Sequence, residues 1–282
     1  MSSKLFLYDH PMSSYAQKVR MALRHKGLPF DKATPENLGA GHPNAAFSSA
    51  NIRMEVPALI DGDFKIFDST TILMYLEDAY PDTPSLFPSN DSQSKAEARM
   101  IEEILDTHYE AINWALGEIN WFKRAEGAEA ERLKAAAAEQ IQQIQDWLST
   151  KLGSKPFFSG DKVGYADFAV APILNRSVIN GNGPVRGSPL AAWWKRCGEI
   201  PAIKQTWDEV AEAAPKMAGL GPQAWKKGSG RKREYRDHRL EFLIKNGGIG
   251  IVQKGLEDDN IRFSWPHPRD GWSRTGGTPL DI

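Results

Sequence analysis

Three short stretches of this 282-residue chain carry residue types that could grip and activate a ligand. In Ser13-Ser14-Tyr15-Ala16-Gln17 two hydroxyls stand where a helix begins. A hydroxyl donor and the positive end of a helix together stabilise a nearby anion. Ser14 to Gln17 fits the Ser-x-x-Gln capping box, which predicts that Ser14 bonds the N–H of Gln17 and leaves the Ser13 hydroxyl free. In Val56-Pro57 the proline opens a short strand, and a cis bond there would turn the backbone of Val56 outward to pair with an extended peptide. In Asp68-Ser69 an acid and a hydroxyl precede Ile72, Leu73 and Leu76 at helical spacing, a helix N-terminus suited to a carboxylate. A backbone clamp beside a carboxylate pocket points to a small peptide as ligand. Ordinary helix capping accounts for an Asp-Ser pair in most proteins, so the ordered run as a whole carries this reading.

The elements that must hold these stretches are legible around them. Lys4 to Tyr8 reads as a strand, and Tyr15, Val19, Ala22 and Leu23 mark a helical face that Gly27 and Pro29 end. A strand follows at Phe30 to Ala33, then a Gly- and Pro-rich loop with a short helix between Thr34 and Ser49. Ala58 to Asp61 and Phe64 to Phe67 flank an Asp-Gly turn and read as a hairpin. The order, βαβ then ββα, predicts a small mixed sheet. Three prolines between Pro81 and Pro88 mark a linker. Beyond it the pattern is helical: one or two long helices over 91–122, and a stripe of Leu133, Ala137, Ile141, Ile144 and Leu148 on the next. Leu240, Leu243 and Ile244 before Gly247-Gly248 predict one helix near the C-terminus, docked on the body.

Composition narrows the classes of function. Apolar residues make up 41% and charged residues 25%, and the formal net charge is −1, so nothing points to nucleic acid or membrane as partner. With no signal-peptide pattern and no membrane-spanning run, a soluble, cytoplasmic protein is expected. The single Cys197 excludes an internal disulfide and a CxxC pair, and its helical context predicts a buried structural thiol. No GxSxG, P-loop, HExxH or grouped His/Cys set supports metal or nucleotide chemistry, and no metal is expected. Between Gln223 and Arg239 seven Lys/Arg stand against two Asp/Glu, a charge run read as a solvated face with a polyanion site as the alternative.

VPAL, the hairpin and DSTTILMYLE resemble the glutathione-binding half of the cytosolic glutathione S-transferases. That resemblance implies an α+β thioredoxin-like domain at 1–80, a linker at 81–90 and an all-helical substrate domain at 91–221. Residues 222–282 form an extension outside the usual pattern. It implies glutathione as co-substrate, a cis Pro57, Val56 paired with the cysteinyl part, and Asp68 with Ser69 on the γ-glutamyl amine and carboxylate. Ser13-Ser14-Tyr15 resembles the Ser-Pro-Phe of the serine classes, so Ser13 would face the sulfur. Ser14, where the family often has proline, stands as a rival. So does Tyr8, since the tyrosine classes activate from the end of the first strand. GYADFAVAPIL resembles the central helix of the second domain, with Gly164 in place of the usual capping hydroxyl and Asp167 expected to be structural.

The reaction implied is attack by the glutathione thiolate on a hydrophobic, aromatic electrophile, in detoxification or secondary metabolism. A β-etherase-like cleavage or an isomerisation is the alternative, and a non-catalytic binding or assembly module another. A free thiol has a pKa of about 8.5, and lowering it by about two units takes about 3 kcal/mol of differential stabilisation. Serine rather than cysteine at the sulfur disfavours thiol exchange. The electrophile is expected between Tyr15 and the helix carrying Tyr109, Asn113 and Trp114, with Met12, His108 and Trp121 nearby. The resemblance also implies a homodimer.

Overall fold

A computed structural model of the chain describes residues 5–36, 38, 44–89, 91–221, 223, 228 and 237–258. The hairpin forms as its turn chemistry dictates: β3 (Ala58–Asp61) and β4 (Phe64–Phe67) pair antiparallel around Gly62, whose φ of 60° suits the turn. β1 (Leu5–Tyr8) pairs antiparallel with β3 and parallel with β2 (Phe30–Ala33), giving the order β2-β1-β3-β4. Three helices complete this half: α1 (Ser14–His25), α2 (Ala45–Ala50) and α3 (Ser69–Ala79). The α1 face predicted from spacing is buried, Val19, Ala22 and Leu23 being fully enclosed. This is the thioredoxin-like arrangement expected.

A helical half follows. α4 (Ser92–Ile104) runs through one π-helical turn (Leu105–Tyr109) into α5 (Glu110–Asn120), so the 91–122 segment is one helical run with a bulge inside it. Next come α6 (Gly127–Leu152), α7 (Tyr165–Ile179), α8 (Pro189–Cys197) and α9 (Pro201–Leu220). α7 is buried along nearly its whole length and packs on α1, α4 and α5. One continuous core therefore joins the halves, from Leu7 and Leu23 through Ile101 to Phe168 and Trp193. Cys197 is fully enclosed and burial pushes its thiol well above the usual range, as a structural thiol requires.

Asp167 is the anchor of α7. Its Oδ2 accepts from Gly164 N at 3.0 Å, and its Oδ1 from Phe158 N at 2.9 Å and Trp193 Nε1 at 2.7 Å. The hydroxyl half of the capping box is absent for a steric reason. A Cβ at Gly164 would lie 2.5 Å from Ser159 Oγ and 2.8 Å from Leu86 O, so the chain passes too closely for any side chain.

In the C-terminal region the expected helix, α10 (His238–Lys245), stops at Gly247-Gly248 as its sequence predicts, but it is not alone: Gly248 is the N-cap of a second helix, α11 (Ile249–Glu257), on which α10 packs. Most of the basic run after Gln223 lies outside the described residues. No described helix is long and apolar enough to cross a membrane.

Candidate active site

The sheet register brings the three stretches together. Tyr8 at the end of β1, Ala58 at the start of β3 and Phe67 at the end of β4 lie in one row across the sheet. The turn leading to Ser13, the Val56-Pro57 bond and the Asp68-Ser69 pair therefore all leave the same edge. The Val56-Pro57 bond is cis. Val56 is half-buried, and among the described residues its backbone makes no backbone hydrogen bond. Asp68 caps α3, its Oδ1 accepting from Thr71 N at 2.9 Å, with a φ of 73° that only a fixed surrounding sustains. Ser69 opens the helix and is buried.

At α1 the cap is Ser13, not Ser14. The Ser13 Oγ accepts from Ala16 N at 3.3 Å, which leaves its own hydrogen to be directed elsewhere. Ser14 is the first helical residue, 1% exposed, and its hydroxyl is buried without a partner, as is Gln17 Oε1. The predicted Ser14–Gln17 box does not form, because the turn His10 to Ser13, closed by Ser13 N on His10 O at 2.9 Å, starts the helix one residue earlier. Tyr8 packs its ring on Phe6 and Phe47.

Two of the expected pocket residues are not surface groups. Tyr109 and Asn113 are fully buried. The Tyr109 hydroxyl accepts from Gln145 Nε2, and Asn113 bonds Ile173 O and the Ser177 hydroxyl. Both belong to the core of the helical half. Tyr15 and Trp114 are half-buried, and the Tyr15 hydroxyl donates to Asp106 O at 2.9 Å.

Two ionic clusters that sequence reasoning missed, one buried and one partly exposed, hold the site in place. Lys18, 1% exposed, reaches from α1 to Glu102 and to Asp106, the latter at 2.5 Å, and Glu102 also takes the hydroxyls of Tyr165 and Thr70. Burial pushes the Asp106 carboxyl up to about 6, although Lys18 pulls it down. Folded Asp106 thus keeps a proton that the unfolded chain releases near pH 4. The stability it contributes is full below that pH and declines as the pH climbs toward 6. Asp106→Asn should flatten this part of the stability profile, read from urea denaturation at intervals between about pH 4 and 7. A slope identical to that of the parent would refute the assignment.

The second cluster centres on Glu209 of α9. It binds Arg20 at 2.8 Å, Arg24 at 2.6 Å and Lys32 at 2.7 Å. Arg20 also meets Asp9 at 3.2 Å and donates to Pro11 O at 3.1 Å, so it fixes the turn that delivers Ser13. Beside that turn, Met12 packs with Trp121, Phe122 and Val210. His10 Nδ1 accepts from Met12 N at 3.2 Å, and burial, then Arg20 and Arg176, push its pKa down.

Residues 7–84 match the model described as glutathione S-transferase, N-terminal domain, and 121–196 that of the C-terminal domain. The probable glutathione S-transferase GSTU1 of Oryza sativa subsp. japonica is 29% identical over 210 residues, 71% of this chain and 87% of that relative. Glutathione S-transferase 1 of Dianthus caryophyllus is 30% identical over 192 residues, 67% and 84% of the two chains. The solved structure of rice GST1 (OsGSTU1) in complex with glutathione has a TM-score of 0.66 and 25% identity, covering 80% of this chain and 100% of its own.

A thioredoxin-like sheet with a cis-proline edge, set on a helical half by a shared core, defines a two-domain transferase architecture. The chain belongs to the cytosolic glutathione S-transferase family. It is an enzyme of that family, a glutathione transferase.

Proposed function

We propose that the enzyme joins the glutathione thiolate to a hydrophobic, aromatic electrophile, with Ser13 as the hydroxyl that stabilises the thiolate. Val56 and Pro57 hold the cysteinyl part of the tripeptide, and Asp68 with Ser69 hold its γ-glutamyl end. The observation that carries this reading is the shared row of Tyr8, Ala58 and Phe67, from which all three binding stretches depart. Tyr15 and Trp114 supply half-buried aromatic surface for the second substrate. The division at the proline-rich linker, with glutathione on the sheet side and the electrophile on the helical side, is part of the same reading, as is a homodimer.

Aryl halides and β-aryl ethers offered with glutathione test it, with products identified by mass. Aryl halides should yield the thioether with release of halide. A cleaved ether in place of any halide product would make the protein a β-etherase-like member. Retention on immobilised glutathione with no turnover of either class would make it a binding module.

A further inference from the structure

The turn that delivers Ser13 carries an imidazole of its own. His10-Pro11-Met12-Ser13 is a four-residue turn closed by Ser13 N on His10 O at 2.9 Å, with proline at the second place, where its fixed φ suits the bend. The His10 side chain folds back over it. Nδ1 accepts from Met12 N at 3.2 Å, the bond that Asn or Asp makes from the first place of such a turn. An imidazole nitrogen that accepts carries no hydrogen. Burial, then Arg20 and Arg176, push the pKa of the ring down, so at neutral pH its one hydrogen sits on Nε2. His10 is half-buried, and Nε2 makes no hydrogen bond among the described residues and is not enclosed. The ring is thus fixed at one nitrogen and open at the other, and only one peptide unit separates the N–H that fixes it from Ser13. Met12 packs with Trp121, Phe122 and Val210, so the turn that bears the donor leans on an apolar cluster.

We propose that His10 is a further catalytic residue, whose Nε2–H donates to the electrophile's oxygen on which negative charge collects as the glutathione sulfur adds. This rests on the proposed function. In displacement on a nitroarene the thiolate forms a C–S bond at the ring carbon bearing chlorine, and an electron pair of the ring moves onto a nitro oxygen. The pair returns to the ring as chloride departs with its bonding electrons. A donor held in place before the reaction favours that charged intermediate over the neutral starting ring. Arg20 and Arg176, whose charges act on the imidazole, favour negative charge there too.

Two substitutions separate the roles of the two ring nitrogens. His10→Asn keeps an acceptor for Met12 N and removes the outer donor, whereas His10→Gln reaches outward with an amide N–H and gives up the bond to Met12. Each variant is assayed with glutathione and either 1-chloro-2,4-dinitrobenzene or benzyl chloride, whose displacement at a saturated carbon puts charge on no oxygen. The ratio of the kcat/KM values, nitroarene over benzyl chloride, should fall about tenfold in the Asn variant, mainly through kcat, while the thiolate signal of bound glutathione stays that of the parent. The Gln variant should hold most of the parent's ratio even where both rates drop. A ratio unmoved in the Asn variant, or lowered as much by Gln as by Asn, would overturn the donor and leave His10 a part of the turn alone. No turnover of either electrophile by the parent would instead remove the function on which it stands.

Discussion

Ser13→Ala is expected to remove most of the ultraviolet thiolate signal of bound glutathione at neutral pH. The Ser13 hydroxyl accepts from Ala16 N and keeps its hydrogen for an anion at the helix tip. A hydrogen bond to a charged acceptor contributes about 1.5–3 kcal/mol, so its loss raises the thiol pKa by about one to two units; from about 6.5, that takes the thiolate fraction at pH 7 from about three quarters to between about a quarter and about 3%. The same change removes the α1 cap, at about 1 kcal/mol of stability. Denaturation and thiolate titration should therefore move by unequal amounts. Ser14→Ala deletes a buried hydroxyl that has no partner, so it should leave folding stability equal or slightly higher and the thiolate signal in place. If Tyr8→Phe alone abolishes the signal, the activating group is Tyr8 and the serine assignment is wrong.

The second large effect is on folding. Asp167→Ala should destabilise the protein by about 3–5 kcal/mol, because three buried donors, the N–H groups of Phe158 and Gly164 and the indole of Trp193, lose their shared acceptor. Asp167→Asn keeps one acceptor oxygen but turns an amide donor toward other donors, so it should recover only part of the loss. Chemical denaturation with unchanged m-values would measure both. A cost under about 1 kcal/mol for the alanine variant would show that water replaces the carboxylate, which a fully enclosed site should not allow.

The sheet was readable because its signals are local. An Asp-Gly turn between apolar runs and a proline opening a strand each act within a few residues, and β2, β3 and β4 fall on the residues so predicted. The α1 cap was misassigned by one position because Ser13 and Ser14 are equally able to cap, and only the His10–Ser13 turn decides between them. Tyr109 and Asn113 stand four residues apart on the face that turns into the helical core, where Gln145, Ile173 and Ser177 meet them. Each of these bonds reaches 36 or more residues further along the chain, so nothing near the two residues marks that face as the enclosed one. Lys18, Arg20 and Arg176 were missed because their partners stand far along the chain: Glu102, Asp106, Glu209 and Glu110. Nothing near those cations in sequence marks Lys18 and Arg20 as buried or Arg176 as half-buried.

One acidic side chain on α9 gathers cations from two elements of the sheet half: Arg20 and Arg24 of α1, and Lys32 of β2. Excised from its helical companion, that half would carry three positive charges on its underside with their shared counter-ion left behind. The halves are thus not interchangeable modules. A chimera that took the first 80 or so residues from a cousin would have to import a matching acid on the last long helix, or accept a loosened turn before Ser13.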